Sequence, residues 1–230
     1  MWEEFQSIFR LGMLHIADGT DHLLFLLTLI LSAVKPSAKF KETGLQLAKL
    51  VTAFTIGHSL SLLIGTYQWI SWSPQPIEVG IACTILLSAV NLIWPIWQGR
   101  EVYVVTVFGL IHGLAFAGLM IELGSATSIL FMEILGFNLG IEFLQIVVLV
   151  MVVPLLLIIA KGPWYHSFRK VSAGVCMTAA SLWLLERLGV EMRWFSAIEW
   201  RLNHWLALMF VILVFAGISF KFRDKNRPTV

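Results

Sequence analysis

Apolar stretches of about 20 residues recur along the whole chain, and this feature limits the fold more than any other. A transmembrane helix needs about 20 consecutive apolar residues, and lipid forces the backbone groups to bond within the segment. Only 13% of the 230 residues are charged, whereas soluble domains carry about 25%. The sequence therefore predicts an all-α polytopic membrane protein. We expect seven spans, at approximately 8–34, 47–70, 77–96, 102–123, 129–160, 171–188 and 203–220.

The charged residues between these stretches predict the orientation. Cytoplasmic loops are enriched in Lys and Arg. Basic residues follow the first, third, fifth and seventh stretches, whereas "TYQWISWSPQP" and "ELGSATS" contain none. The loop after the sixth stretch has three arginines balanced by three glutamates, a mild exception. We therefore predict one transmembrane domain over 1–230 in the bacterial inner membrane, with the N-terminus outside and the C-terminus in the cytoplasm.

The first apolar stretch carries a cluster of ionisable residues in "LHIADGTDHLLFLL". On a continuous helix with 100° per residue, His15, Asp18 and His22 lie within about 60° of each other, and Asp21 lies about 60° further round. Two imidazoles and one or two carboxylates on one face suit Ni²⁺, Co²⁺ or Zn²⁺. The other interpretation is a solvated helix start. The four groups followed by an uninterrupted apolar run favour a metal site.

Three later stretches carry ionisable residues near the middle of the membrane. His58 and His112 lie in the second and fourth stretches, and Glu142 is the most deeply placed acid in the fifth. Such residues are costly in lipid and mark functional sites by default, although a single histidine can also be a hydrogen-bonded packing group. We expect these side chains to meet the first cluster at one site open to the outside. Residues predicted to support the ligands are Glu78, Asn138, Gln145 and Ser59.

Two short segments resemble each other. "FTIGHSL" in the second stretch and "FGLIHGL" in the fourth both have the pattern F-x3-H-[SG]-L. A match of seven residues among apolar residues is too short to establish an internal repeat.

Five motifs in order together resemble the HupE/UreJ family of hydrogenase and urease accessory membrane proteins. They are "GMLHIADGTDHLLFLLTLIL", "FTIGHSLSL", "IEVGIACTILLSAVNL", "FGLIHGLAFA" and "FNLGIEFLQ", from about Gly12 to Gln145. The family is commonly described as permeases for nickel or other divalent metals. The resemblance implies metal coordination or conduction by His15, Asp18, Asp21, His22, His58, His112 and Glu142. The interval here is H-x5-D-H, whereas the nickel–cobalt permeases carry H-x4-D-H.

The residues leave three functions open. The first is transport of a divalent metal ion, with the lipid bilayer, the ion and accessory proteins or a second copy of the chain as partners, and no nucleic acid. The second is a membrane zinc-type hydrolase, with Asp21 or Glu142 as general base. The third is a non-catalytic metal-binding subunit. We favour the first. The second is the runner-up, because only Gln145, Asn91 and Ser88 offer polar steps in the inner half of the membrane.

Overall fold

The computed structural model is all-helical over the part of the chain that it describes, residues 2–66, 73–122, 130–191, 212–216, 218–219 and 221. Seven long helices make up most of this part. They are α1 (Trp2–Asp18), α2 (Thr20–Ala33), α3 (Phe40–Thr66), α4 (Pro74–Ile93), α5 (Glu101–Glu122), α6 (Leu130–Ala160) and α7 (Tyr165–Arg187).

The first predicted span is wrong as a single helix. The chain breaks at Gly19, where φ is −78° and ψ is 90°, and α1 and α2 meet at a bend of 72°. A side chain at residue 19 would have its Cβ 2.5 Å from the His15 carbonyl oxygen. Glycine is therefore the residue that lets the two helices meet so closely.

The other helices begin and end near the predicted bounds. Helices α3 to α6 match the second to fifth predicted stretches to within a few residues, except that α3 begins seven residues earlier. Most of the seventh predicted span lies outside the described residues. Among the described helices, three are long and apolar enough to cross a membrane, and a fourth span results if α1 and α2 count together. The number of seven spans and the orientation stay predictions.

Helix α2 lies at the centre of the bundle. It contacts α1, α3, α4, α6 and α7, and its buried residues include Leu24, Phe25, Leu26, Leu29, Ile30 and Leu31. The side chains that face away from the bundle are largely apolar, among them Ile56, Leu87, Leu139 and Val150. An apolar exterior around an apolar core is typical of helices surrounded by lipid.

Close backbone contacts hold two helix pairs together. Helices α3 and α5 approach at Gly57, Gly109 and Gly113, where an added Cβ would lie 2.2 Å from a carbonyl oxygen of the other helix. Helices α1 and α6 approach in the same way at Gly12 and Gly140. Small residues permit such packing in membranes. In both pairs the contacts run in the same direction along the chain, so the paired helices are parallel.

Candidate metal centre

Four histidines from four helices converge in the interior of the bundle. His15 is on α1, His22 on α2, His58 on α3 and His112 on α5. The ring centroids of His15 and His22 are 4.6 Å apart, and those of His22 and His112 are 4.9 Å apart. His58 lies 5.9 Å from His15 by the same measure. The bend at Gly19 lets α1 and α2 approach the cluster from different directions.

The ligand atoms form two overlapping groups of three. Potential ligand atoms of His15, His22 and His58 all lie within 4.8 Å of one another, and so do those of Asp21, His22 and His112. A tetrahedral ion bound at about 2.0–2.1 Å needs donor atoms roughly 3.3 Å apart. Modest side-chain movements would therefore close either group around an ion, and His22 belongs to both groups.

One nitrogen of three histidines is held by a partner outside the cluster. His22 Nδ1 lies 3.0 Å from Asp21 Oδ1, His58 Nδ1 lies 3.2 Å from Asn138 Oδ1, and His112 Nε2 lies 2.9 Å from Thr84 Oγ1. Asn138 donates its amide N–H to the Ile134 carbonyl, so its oxygen faces His58 and accepts.

The Thr84 hydroxyl donates to the Ile81 carbonyl, so this oxygen too can only accept from the histidine. Since the Asp21 carboxylate is also an acceptor, each of the three imidazoles donates its N–H outward. The other ring nitrogen then carries a free lone pair.

The inward nitrogens of these three imidazoles and one nitrogen of His15 have no protein partner among the described residues. Among the described residues, His15 Nε2, His22 Nε2, His58 Nε2 and His112 Nδ1 are all buried without a hydrogen bond. A buried polar atom without a partner costs about 1–3 kcal/mol. Outer hydrogen bonds that fix the tautomer are also the usual surroundings of metal-binding histidines. The donor set therefore fits a borderline divalent metal.

Aromatic rings enclose the cluster on the α6 side. Phe116 and Phe137 stack with their centroids 4.3 Å apart, and the His15 ring lies 4.5 Å from Phe116. Phe137 is fully buried. These rings restrict water around His15, which strengthens the attraction between an ion and its ligands. Sequence reasoning did not find either phenylalanine, because aromatic residues in apolar helices usually indicate packing.

A cavity of about 450 Å³ connects the cluster to the surface. Its walls include His15, Asp21, His22 and His112, and the exposed Asp18 lies among them. A neighbouring cavity of about 340 Å³ shares Asp18, Gly19 and Asp21 with it. Glu78 lines this second cavity, where one of its carboxylate oxygens pairs with an Arg187 nitrogen at 3.4 Å.

Several predicted residues belong to neither group of three. Asp18 is one of them, although it lines the same cavity as the cluster. The predicted stripe assumed an unbroken helix, whereas His15 and Asp18 lie on α1 and His22 on α2. Glu142 is also outside both groups and accepts a hydrogen bond from Thr52 at 2.6 Å. Ser59 bonds to the Thr55 carbonyl of its own helix.

Asn138 and Thr84 each hold a histidine of the cluster, whereas the predicted supporting residue Gln145 does not. Gln145 lies 3.4 Å from Thr55 Oγ1 and has no bond to a histidine of the cluster among the described contacts. Asn138, by contrast, holds His58. Thr84 of α4 holds His112. The sequence indicated a role for Thr84 only through its position, since it lies on a buried face of α4 beside Ser88.

The family comparison agrees with these observations. A family model described as "HupE / UreJ protein" matches residues 1–187, a range that contains every residue of the cluster. The chain belongs to the HupE/UreJ family. Membership implies an accessory membrane function related to metals of the nickel and cobalt kind, and supports an integral membrane protein. No curated protein and no solved structure matches the chain significantly.

Proposed function

We propose that this protein binds a divalent transition metal ion of the nickel, cobalt or zinc class and transports it across the membrane. The ion is the cargo, and the histidine cluster is its binding site. The observation that carries the proposal is the set of four buried imidazole nitrogens without a partner. Family membership supports a metal as the ligand.

The donor atoms support this class of metal. Imidazoles with one carboxylate suit Ni²⁺, Co²⁺ and Zn²⁺, whereas Mg²⁺ and Ca²⁺ prefer oxygen ligands alone. Asp21 offers negative charge close to the ion, whether it binds the ion directly or through His22. Asp18 lies at the exposed rim of the cavity, where its carboxylate would attract cations before they reach the histidines.

Because His22 belongs to both groups of ligands, the site is better suited to transport than to permanent binding. An ion held by His15, His22 and His58 can exchange two ligands for Asp21 and His112 while it stays bound to His22. Such an exchange moves the ion without returning it to water. A structural metal site usually has one closed set of four ligands. Glu142 has no part in this proposal because it bonds to Thr52.

The hydrolase remains a distinct alternative with a different outcome. Asp21 lies beside the cluster and could act as a general base toward a metal-bound water. A hydrolase would retain a stoichiometric metal through purification and would move none across a membrane. Family membership favours metal handling over hydrolysis.

The test is metal uptake by proteoliposomes that contain the purified protein. We expect uptake of Ni²⁺, Co²⁺ or Zn²⁺ into vesicles loaded with a metal-sensitive dye. His22→Ala should abolish uptake and weaken binding by at least about 100-fold, because it removes the ligand common to both groups. His166→Ala is the matched control, since His166 lies exposed on α7 away from the cluster. Normal uptake by His22→Ala would contradict the proposal.

A further inference from the structure

A layer of three phenylalanines closes the histidine cluster on its inner side. We use "inner end" for the end of the bundle where α2 ends and α5 begins, which the basic loops predict to be cytoplasmic. Phe25, Phe54 and Phe108 each lie one helical turn inward of His22, His58 or His112 on the same helix. The ring centroids of Phe25 and Phe54 are 5.2 Å apart, and those of Phe25 and Phe108 are 6.0 Å apart.

The two F-x3-H segments have equivalent places in this arrangement. In each segment the histidine belongs to the cluster and the phenylalanine to the layer beneath it. His22 and Phe25 repeat the same order on α2 with a spacing of three residues. Three helices therefore contribute one residue to a polar layer and one to an apolar layer.

A small cavity with a partly polar lining lies beyond the phenylalanines, and we call it the inner chamber. It has room for about one water molecule, with a volume of roughly 10 Å³. The chamber lies between α2, α3, α4 and α5, and Phe108 forms part of its wall. Its polar lining consists of Thr28, Ser32, Ser88, Asn91 and Glu101.

One hydroxyl in the inner chamber has no partner. Ser88 is 5% exposed, and its Oγ is buried without a hydrogen bond among the described residues. The hydroxyls of Thr28 and Ser32 donate to carbonyls of their own helix, at 2.6 and 2.7 Å. Their oxygens still have lone pairs to offer. Among the described residues that line it, the chamber thus presents oxygen acceptors and one carboxylate, that of Glu101, and no basic side chain.

We propose that the inner chamber is a second cation site, which receives the divalent ion from the histidine cluster when the phenylalanine layer opens and releases it at the inner end. This inference rests on the proposed function. Oxygen ligands hold nickel-class ions more weakly than imidazole does, so passage from histidines to oxygens favours release. Ser88 and Asn91 then provide the polar steps toward the inner end that transport requires.

The experiment separates binding from release. We expect Glu101→Gln to bind Ni²⁺ at the histidine cluster with unchanged affinity, measured by competition with a chelating dye. Its initial rate of uptake into proteoliposomes should fall at least about tenfold, because the charged ligand of the chamber is gone. Ser88→Ala should lower the rate in the same direction, and it serves as a second variant if Glu101→Gln folds poorly.

Glu42→Gln is the matched control. Glu42 lies in the first turn of α3, as Glu101 lies in the first turn of α5, but its side chain is exposed and pairs with Lys39. Native uptake rates in both Glu101→Gln and Ser88→Ala would overturn the inner site while leaving the proposed function intact. Native uptake by His22→Ala would instead contradict the proposed function itself.

Discussion

Two histidines of the cluster, His58 and His112, are each held by a neighbour that belongs to neither group of ligands. Thr84 and Asn138 make no more than one hydrogen bond each to the cluster, yet they decide which ring nitrogen carries the proton. Without such a partner, a neutral imidazole populates both tautomers and rotates more freely. The metal affinity of the site therefore depends on neighbours of the ligands, of which the sequence indicated Asn138 as a supporting residue.

Replacing Thr84 tests this dependence. Thr84→Val keeps the shape of the side chain but removes the oxygen that accepts from His112 Nε2. We expect the affinity for Ni²⁺ to fall by about 10- to 100-fold, as it does when the outer partner of a metal-binding histidine is lost. Thr84→Ser keeps the oxygen and should retain most of the affinity. The measurement is competition with a chelating dye in detergent.

Equal affinities for Thr84→Val and Thr84→Ser would show that the hydroxyl does not orient His112. A loss confined to Thr84→Ser would point to packing around the methyl group, which valine keeps and serine lacks. Only the difference in Ni²⁺ affinity between the two variants tests whether the Thr84 hydroxyl fixes the proton on His112 Nε2.

The sequence could indicate the histidines but not their geometry. Their position in apolar helices was sufficient to single them out as site residues, because ionisable groups in lipid are costly. The roles of the carboxylates were harder to predict from the sequence. Asp21 appeared to lie off the stripe of ligands on a helical wheel, yet it bonds to His22 because the helix breaks just before it. Glu142 was expected to meet the cluster, but its carboxylate accepts a hydrogen bond from Thr52 of α3.

At the scale of the helices, glycines set how the histidines approach each other. Gly113 packs against the His58 carbonyl, and the residue before it is His112. The close contact between α3 and α5 therefore lies beside both histidines. Gly57 and Gly109 extend the same contact along both helices. The packing of this helix pair thus sets where each of the two histidines enters the cluster.

Widening the contact between α3 and α5 should disturb the site without changing a ligand. In Gly113→Ala, the new Cβ would lie 2.2 Å from the His58 carbonyl oxygen and 2.3 Å from Ser61 Oγ. The helices must separate, at a cost of about 1–3 kcal/mol. We expect a lower melting temperature in detergent and weaker binding of Ni²⁺. Both are measured on the purified protein.

Gly174→Ala provides the control for this change. Gly174 lies within α7, and no atom lies within 4 Å of the Cβ that alanine would add. Alanine also has the higher helix propensity. A melting temperature at or above the native value is expected there. If Gly113→Ala behaves like Gly174→Ala, the two helices do not depend on close backbone contact.

The sequence predicted most helices but missed the break at Gly19. Hydropathy is summed over a window of about 20 residues, so an apolar segment reads as one span whether or not it bends. A glycine within an apolar stretch is often tolerated in membrane helices. A Cβ at residue 19 would lie 2.5 Å from the His15 carbonyl oxygen and 2.9 Å from His22 Nδ1, so glycine fits where the two helices meet. A sum of hydropathy does not register this constraint.

For the whole molecule, the arrangement of helices is consistent with the alternation of basic loops. The parallel pairs α1 with α6 and α3 with α5 join helices that the predicted topology has crossing in the same direction. The loop between α2 and α3 and the loop between α6 and α7 also lie near each other, since Tyr165 bonds to the Val34 carbonyl. Both loops carry lysines, which predicts the cytoplasm at that end.

Cysteine labelling tests the orientation directly. In a background with Cys83→Ser and Cys176→Ala, Ser73→Cys and Ser37→Cys each introduce one exposed thiol, at opposite ends of the bundle. Ser73 lies at the start of α4 and Ser37 in the loop before α3. A membrane-impermeant maleimide added to intact cells should label Ser73→Cys and should label Ser37→Cys only after the membrane is opened.

The result also decides which way the two proposed sites face. If Ser73→Cys is labelled from outside, the cavity beside Asp18 and Glu78 opens outward and the inner chamber faces the cytoplasm, so the order of sites is that of uptake. The reverse labelling pattern would place the histidine cluster on the cytoplasmic side. The same ligands would then load metal from the cytoplasm, and the protein would be an exporter or a donor to a partner on that side.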